Sequence, residues 1–168
     1  MPRPLTATAL IGVLQGVVGR NAVNFVNAVH LAKARGISVG TTALDRHAVY
    51  AEYVEVEAAT ARGSALAGGA LLDATHGRIV RIGQFHVDIR PRGALLVLRN
   101  HDVPGVIGKV GTVLGQAGAN IAEYHQSRLI QGGEALAAIS IDGWLDGEVI
   151  ERLESLPEVL DVKQVDLE

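Results

Sequence analysis

The pattern of apolar and polar positions divides the chain into a helical start, a run of strands and a mixed final third. Leu10, Leu14 and Val17 recur at helical spacing with Val13 beside them, which predicts a helix over 5–18. Gly19 follows where a C-terminal cap belongs. A second helix is predicted over 21–35, ended by Gly36. It is apolar on most sides and therefore expected to be buried. Its polar residues Asn24, Asn27, His30 and Lys33 recur every third position, as a wetter edge or as a polar wall facing a ligand.

The period then changes from helical to alternating. Tyr53, Glu55 and Glu57 alternate with Val54, Val56 and Ala58, the signature of a half-buried strand. A turn follows at 61–64, then a small-residue strand over 65–72 and a turn over 73–77. Strands over 78–82 and 85–89 flank Gly83-Gln84, a two-residue hairpin signal. Phe85, Val87 and Ile89 share one side of the last strand, and His86, Asp88 and Arg90 the other. Pro91-Arg92-Gly93 punctuates the chain, and a domain boundary is expected there, giving 1–92 and 93–168.

The second unit has a cleaner rhythm. A strand over 94–99 leads to Asp102-Val103-Pro104-Gly105, which opens a helix with Pro104 in its first turn and Asp102 placed to cap it. Val106, Ile107, Val110 and Leu114 form the apolar face, and Gly118 ends the helix. Strands over 120–129 and 134–141 join through Gln131-Gly132-Gly133. Asp142-Gly143 turns the chain into a helix over 146–156 with Val149, Ile150 and Leu153 inward. Pro157 stops it before a final strand over 159–165. The order is βαββαβ, the ferredoxin-like arrangement, and the fold class expected for the whole chain is α+β.

Composition narrows the picture. With 168 residues, 48% hydrophobic and 20% charged, the chain can pack one domain or two small ones. The absence of cysteine excludes disulfides, thiolate metal sites and a cysteine nucleophile. No apolar run has membrane-spanning length and no signal-peptide pattern opens the chain, so a cytoplasmic protein without a membrane partner is expected. The net charge of −3 hides an asymmetry: 1–92 carry ten Lys/Arg against six Asp/Glu, and 93–168 five against twelve. The basic half suits an anionic ligand, and compositional drift accounts for it equally well.

Most catalytic signatures are missing. There is no dinucleotide-binding glycine fingerprint, no P-loop and no nucleophile elbow. The six histidines show no helical metal-ligand spacing, and no metal site is expected. Six aromatics without basic interleaving give nucleic-acid binding little support. The strongest local feature is the loop around Asp102. Backbone N–H groups at a helix start can bind a carboxylate, and Asp102 can accept from an ammonium group. Asn120, heading the next strand, can hydrogen-bond the same small molecule, so the loop can suit an amino-acid zwitterion. The alternative is that Asp102 only caps and Asn120 only makes a turn.

These residues resemble a known family. Leu95-Leu96-Val97-Leu98, Asp102-Val103-Pro104-Gly105-Val106-Ile107-Gly108, Gly118-Ala119-Asn120-Ile121-Ala122 and Gly132-Gly133-Glu134-Ala135-Leu136 together resemble an ACT domain, a small amino-acid-sensing module. Upstream, Asn24-Phe25-Val26-Asn27-Ala28, Leu31 to Ile37, Arg78 to Ile82 and Phe85 to Asp88 are similar to the intervening domain of the long-form D-3-phosphoglycerate dehydrogenases. The resemblance implies a partial intervening domain, truncated at its start, followed by a ferredoxin-like ACT domain. It further implies a regulatory region of serine biosynthesis without catalytic residues or a cofactor of its own, NAD belonging to the full-length enzymes. It implies an L-serine effector site at Asp102, at the amides of Gly105, Val106 and Ile107, and at Asn120. Asn100 belongs to the same implied effector site, standing where the family often has His or Tyr. The implied assembly is a homodimer or homotetramer with serine between paired ACT domains. For the intervening domain the resemblance implies a phosphorylated or polyanionic small molecule, with Arg20, Lys33 and Arg35 as candidates. Iron–sulfur L-serine dehydratases carry a similar domain pair, and a purely structural oligomerisation module is the third reading.

Overall fold

The computed structural model describes residues 3–43, 47–61, 63–73 and 75–167. Arg62 and Ala74, in two of the expected turns, lie outside the described residues. The chain divides into two compact units, 1–47 and 48–168.

The first unit is helical. Helix α1 spans Arg3–Val18. Gly19 follows it at φ 89°, its N–H bonding to the Gln15 carbonyl at 3.0 Å. A single 3-10 turn at Arg20–Ala22 precedes α2, Ala28–Ala34. Leu10, Leu14, Val23, Ala28 and Ala32 form the core of this unit. The predicted helix over 21–35 is thus much shorter, and the cause is local. Asn24 Oδ1 accepts from the N–H groups of Val26 and Asn27, while Asn27 Oδ1 accepts from the Asn24 N–H at 2.8 Å. These side chains offer the backbone an alternative to the helix. The expected burial also fails, since Phe25 is 63% and Val26 93% exposed.

The second unit holds two four-stranded antiparallel sheets. Strands β1 (Glu52–Thr60), β2 (Gly63–Leu71), β3 (Gly77–Ile82) and β4 (Phe85–Ile89) form a meander in sequence order. The alternation read at 85–89 is realised, with Phe85, Val87 and Ile89 buried and His86 and Asp88 exposed.

The other sheet contains β5 (Ala94–His101), β6 (Ile121–Arg128), β7 (Glu134–Ile141) and β8 (Val159–Asp166), in the order β6-β7-β5-β8. Helices α3 (Val106–Gln116) and α4 (Gly147–Glu154) connect them, completing βαββαβ. One core joins Leu96, Leu98 and Ile139 to Val106, Val110, Leu114 and Leu153 of the helices. A second joins Leu95, Leu136 and Ala138 to Phe85, Val87 and Ile89. Both faces of this sheet are therefore covered, which is why 135–139 read as a continuous apolar run.

Two expectations for α3 are corrected. The helix starts at Val106, after Gly105 at φ 94°, and no side chain caps it. Pro104 thus lies outside the helix, and Asp102 is not the cap. Ile107, expected on the apolar face, is 54% exposed, and Val113 is buried in its place. At the other end, the Ala119 N–H bonds to Leu114 O and the Gly118 N–H to Gly115 O. That pattern is a Schellman motif, with Gly118 at φ 73°.

Candidate functional site

Asp102 leaves β5 and turns toward the connection between β6 and β7. Its N–H donates to Gly133 O at 2.8 Å. Its carboxylate oxygen Oδ2 accepts from Arg128 Nη1 at 3.1 Å and from the Gly132 N–H at 3.1 Å. The Gly132 N–H and the Arg128 guanidinium hold this carboxyl below the usual aspartate range. Gly132 supplies its N–H from φ 75°, a backbone region that favours glycine.

Between these groups and the start of α3 lies a depression of about 420 Å³, to which Asp102, Gly105, Val106, Ile107, Gln126 and Arg128 contribute. The first hydrogen bond of the helix runs from Lys109 N to Gly105 O, so the N–H groups before Lys109 have no partner inside the helix. The depression therefore combines a carboxylate, a guanidinium and helix-start amides within reach of one small molecule. It offers binding chemistry; no nucleophile–base pair lines it.

The other predicted site residues lie elsewhere in the chain. Asn100 is fully buried, and its Nδ2 donates to His101 O at 2.7 Å. It does not line the depression. Asn120 stands at the far end of the sheet. It precedes Ile121, which pairs with Ile141, and Ile141 pairs with Ala94 at the start of β5. The length of β5 alone separates Asn120 from Asp102 by roughly 23 Å. Asn120 Nδ2 donates to Asp142 Oδ2 at 2.7 Å, and the Asp142 N–H bonds back to Asn120 O. Within one chain, Asp102 and Asn120 do not share a ligand.

Arg20 sits in the 3-10 turn, Lys33 in the last turn of α2, and Arg35 at the α2 C-cap, where its guanidinium reaches back to Leu31 O. A larger cleft of about 600 Å³ forms instead in the second unit, lined by Arg90, Arg92, Glu123, Asp142, Trp144 and Asp166, among others. Glu123 there takes Arg78 on one oxygen and Arg90 on the other, at 2.9 and 3.1 Å.

Sequence reasoning missed Arg128, Gly132 and Glu123. Arg128 and Asp102 lie 26 positions apart and Arg78 and Glu123 45 apart, so no local spacing signals either pair. Among the described residues no group of three or more His, Cys, Asp or Glu side chains is placed to hold a metal ion. No described helix is long and apolar enough to cross a membrane.

Comparison with known proteins divides the chain along its length. Residues 2–83 match the family model described as the D-3-phosphoglycerate dehydrogenase intervening domain, and residues 94–158 match the ACT domain. A D-3-phosphoglycerate dehydrogenase of Bacillus subtilis is 33% identical over 163 residues, 97% of this chain and 31% of the relative. The Synechocystis enzyme of the same name is 33% identical over 165 residues, 98% of this chain and 30% of the relative. That of Methanocaldococcus jannaschii is 30% identical over 145 residues, 86% of this chain and 27% of the relative. The chain thus spans less than a third of the length of these relatives.

Proposed function

Two domain families make up this chain, the intervening domain of D-3-phosphoglycerate dehydrogenase and the ACT domain, and on that premise we propose that it is a regulatory region that binds L-serine as a feedback effector between two copies of itself. The region that matches the relatives is regulatory, and the catalytic and NAD-binding domains of the dehydrogenase are not part of it.

One observation carries the reading: Asp102 and Asn120 stand at opposite ends of an edge strand. Strand β6 forms one edge of its sheet, with β7 on its only paired side. Such an edge is a template for a second strand. Antiparallel pairing of β6 with the β6 of a second copy brings the Asn120 end of one beside the Arg128 end of the other. Arg128 touches Asp102. Two-fold symmetry would then build two equal sites, each with the Asp102 loop from one copy and Asn120 from the other. The serine ammonium goes to Asp102, its carboxylate to the amides of Val106 and Ile107, and Asn120 adds a hydrogen bond.

Calorimetric titration with L-serine, glycine as comparator, tests the reading while the mass in solution is followed. It predicts saturable serine binding at about one site per chain on a dimer or larger assembly. An intact dimer that binds no serine refutes the effector role and leaves an assembly module.

For the first domain, the proposed ligand is a phosphorylated or polyanionic small molecule, with Arg20 in the 3-10 turn and Lys33 and Arg35 at the end of α2 as its candidates. Titration of the chain with inorganic phosphate and with citrate, parent against Arg20→Ala, Lys33→Ala and Arg35→Ala, tests it: binding that the substitutions do not weaken removes these residues from the site.

A further inference from the structure

The loop that lines the Asp102 depression has Asp102 at one end and the start of α3 at the other. One residue distant in sequence reaches both ends. Glu158 immediately precedes β8 and lies 49 positions beyond Lys109. Its backbone carbonyl accepts from the His101 N–H at 2.8 Å, next to Asp102. Its carboxylate oxygen Oε1 accepts from Lys109 Nζ, in the first turn of α3. Lys109 is also the residue whose N–H makes the first hydrogen bond of that helix, to Gly105 O at 3.0 Å.

Glu158 is itself firmly placed. The Val159 N–H bonds to Leu156 O at 2.9 Å, closing a turn with Pro157 and Glu158 at its centre. Proline presets φ at the first of these positions. The Glu158 side chain is 20% exposed, and its Oε2 is buried without a hydrogen bond. The carboxylate is therefore held through Oε1, by Lys109. Salt screens such a partly buried pair less than an exposed one. The start of α3 needs a tether of this kind, because Gly105 enters the helix at φ 94° with no side-chain cap. The Val106 and Ile107 amides lie between the two anchored points, His101 and Lys109.

We propose that Glu158 is a positioning residue for the effector site, holding the first turn of α3 through Lys109 so that its amides face the ligand carboxylate. The proposal rests on the reading that this depression binds L-serine. It adds the residue that keeps the Asp102 end and the helix end of the loop in register. Charge and position give opposite signs here. Glu158 is an anion near the ligand carboxylate, so by charge alone its removal should tighten binding. Acting through position, its removal weakens binding.

The test is calorimetric titration of the full chain with L-serine, for the parent, Glu158→Ala, Glu158→Gln, Lys109→Met and the Glu158→Ala, Lys109→Met double variant. Glu158→Ala is expected to bind serine about fivefold more weakly than the parent. Glu158→Gln keeps the size of the side chain and should show a smaller loss of the same sign. The double variant should match Lys109→Met alone, because the tether is already gone. Circular dichroism and the urea midpoint establish that each variant is folded where binding is measured. Serine affinity that is unchanged or tighter in both Glu158 variants overturns the proposal, even where stability falls, and leaves the pair a structural contact. Losses that multiply in the double variant overturn it too. A parent that binds no serine brings down the reading of the depression, and the proposal with it.

Discussion

Glu123 on β6 accepts a hydrogen bond from Arg78 on β3 at 2.9 Å, so the strand that begins next to Asn120 is also tied to the other sheet. Arg78 is largely buried and Glu123 about a quarter exposed. Arg78 also donates to Asp88, and Glu123 also takes Arg90. Replacing Arg78 by Ala leaves Glu123 half-buried with only the exposed Arg90. The expected loss is about 1–2 kcal/mol, between the values for exposed and buried pairs. Urea denaturation of Arg78→Ala, Glu123→Ala and the double variant measures it, and a strictly additive cycle would remove the pair from the account.

The sheet shared by the two cores makes a second prediction. Leu98 is fully buried beneath the helices. Leu98→Ala should destabilise by about 2–5 kcal/mol, since the lost contacts and the residual cavity both count. A loss below that range in denaturant unfolding would mean that the helices collapse onto the gap.

Asp102 predicts a pH effect with a definite sign. Its carboxyl is held below the ordinary range by the Gly132 N–H and Arg128. The folded value thus lies under the unfolded one, about 3.9. The stabilisation is fully present above that unfolded value and is lost as the pH falls through the folded one. Asp102→Asn should therefore be less stable than the parent at neutral pH, and the difference should shrink below about pH 4. A difference that is constant with pH would contradict the assignment.

Tyr124 carries the opposite sign at high pH. Burial pushes its hydroxyl up to about 12. The unfolded phenol releases its proton near pH 10, about two units earlier, so stability should fall between these values. A phenolate absorbance titration should show Tyr124 ionising late, and Tyr124→Phe should remove that part of the alkaline loss.

Much of this architecture is legible in the residues themselves. Alternation at Phe85, Val87 and Ile89 marks the buried face of β4 because only that face meets the second sheet. The turns at Gly83, Gly118 and Asp142-Gly143 fall where glycine permits positive φ. What fails is what depends on partners distant in sequence or on competing local bonds. Asp102 reads as a cap, yet Gly105 occupies the cap and Asp102 answers to Arg128 and Gly132. Asn24 and Asn27 look helical by spacing and bond each other instead. Asn120 reads as a neighbour of Asp102 because only a helix separates them in sequence, and that helix carries the chain back along the sheet to its other end.

Asn120→Ala should weaken serine binding by about 1–2 kcal/mol, one hydrogen bond to a charged group, and Asp102→Ala should abolish it. Unchanged affinity in either variant would remove that residue from the site.

The most direct test of a site shared between two copies is to mix these two variants. Each alone is measured at a serine concentration where it binds little, and then the two are combined under exchange of subunits. If the site draws Asp102 from one copy and Asn120 from the other, each mixed pair regains one complete site, and serine binding returns on mixing. If each chain builds its own site, every site in the mixture carries a substitution and mixing restores nothing.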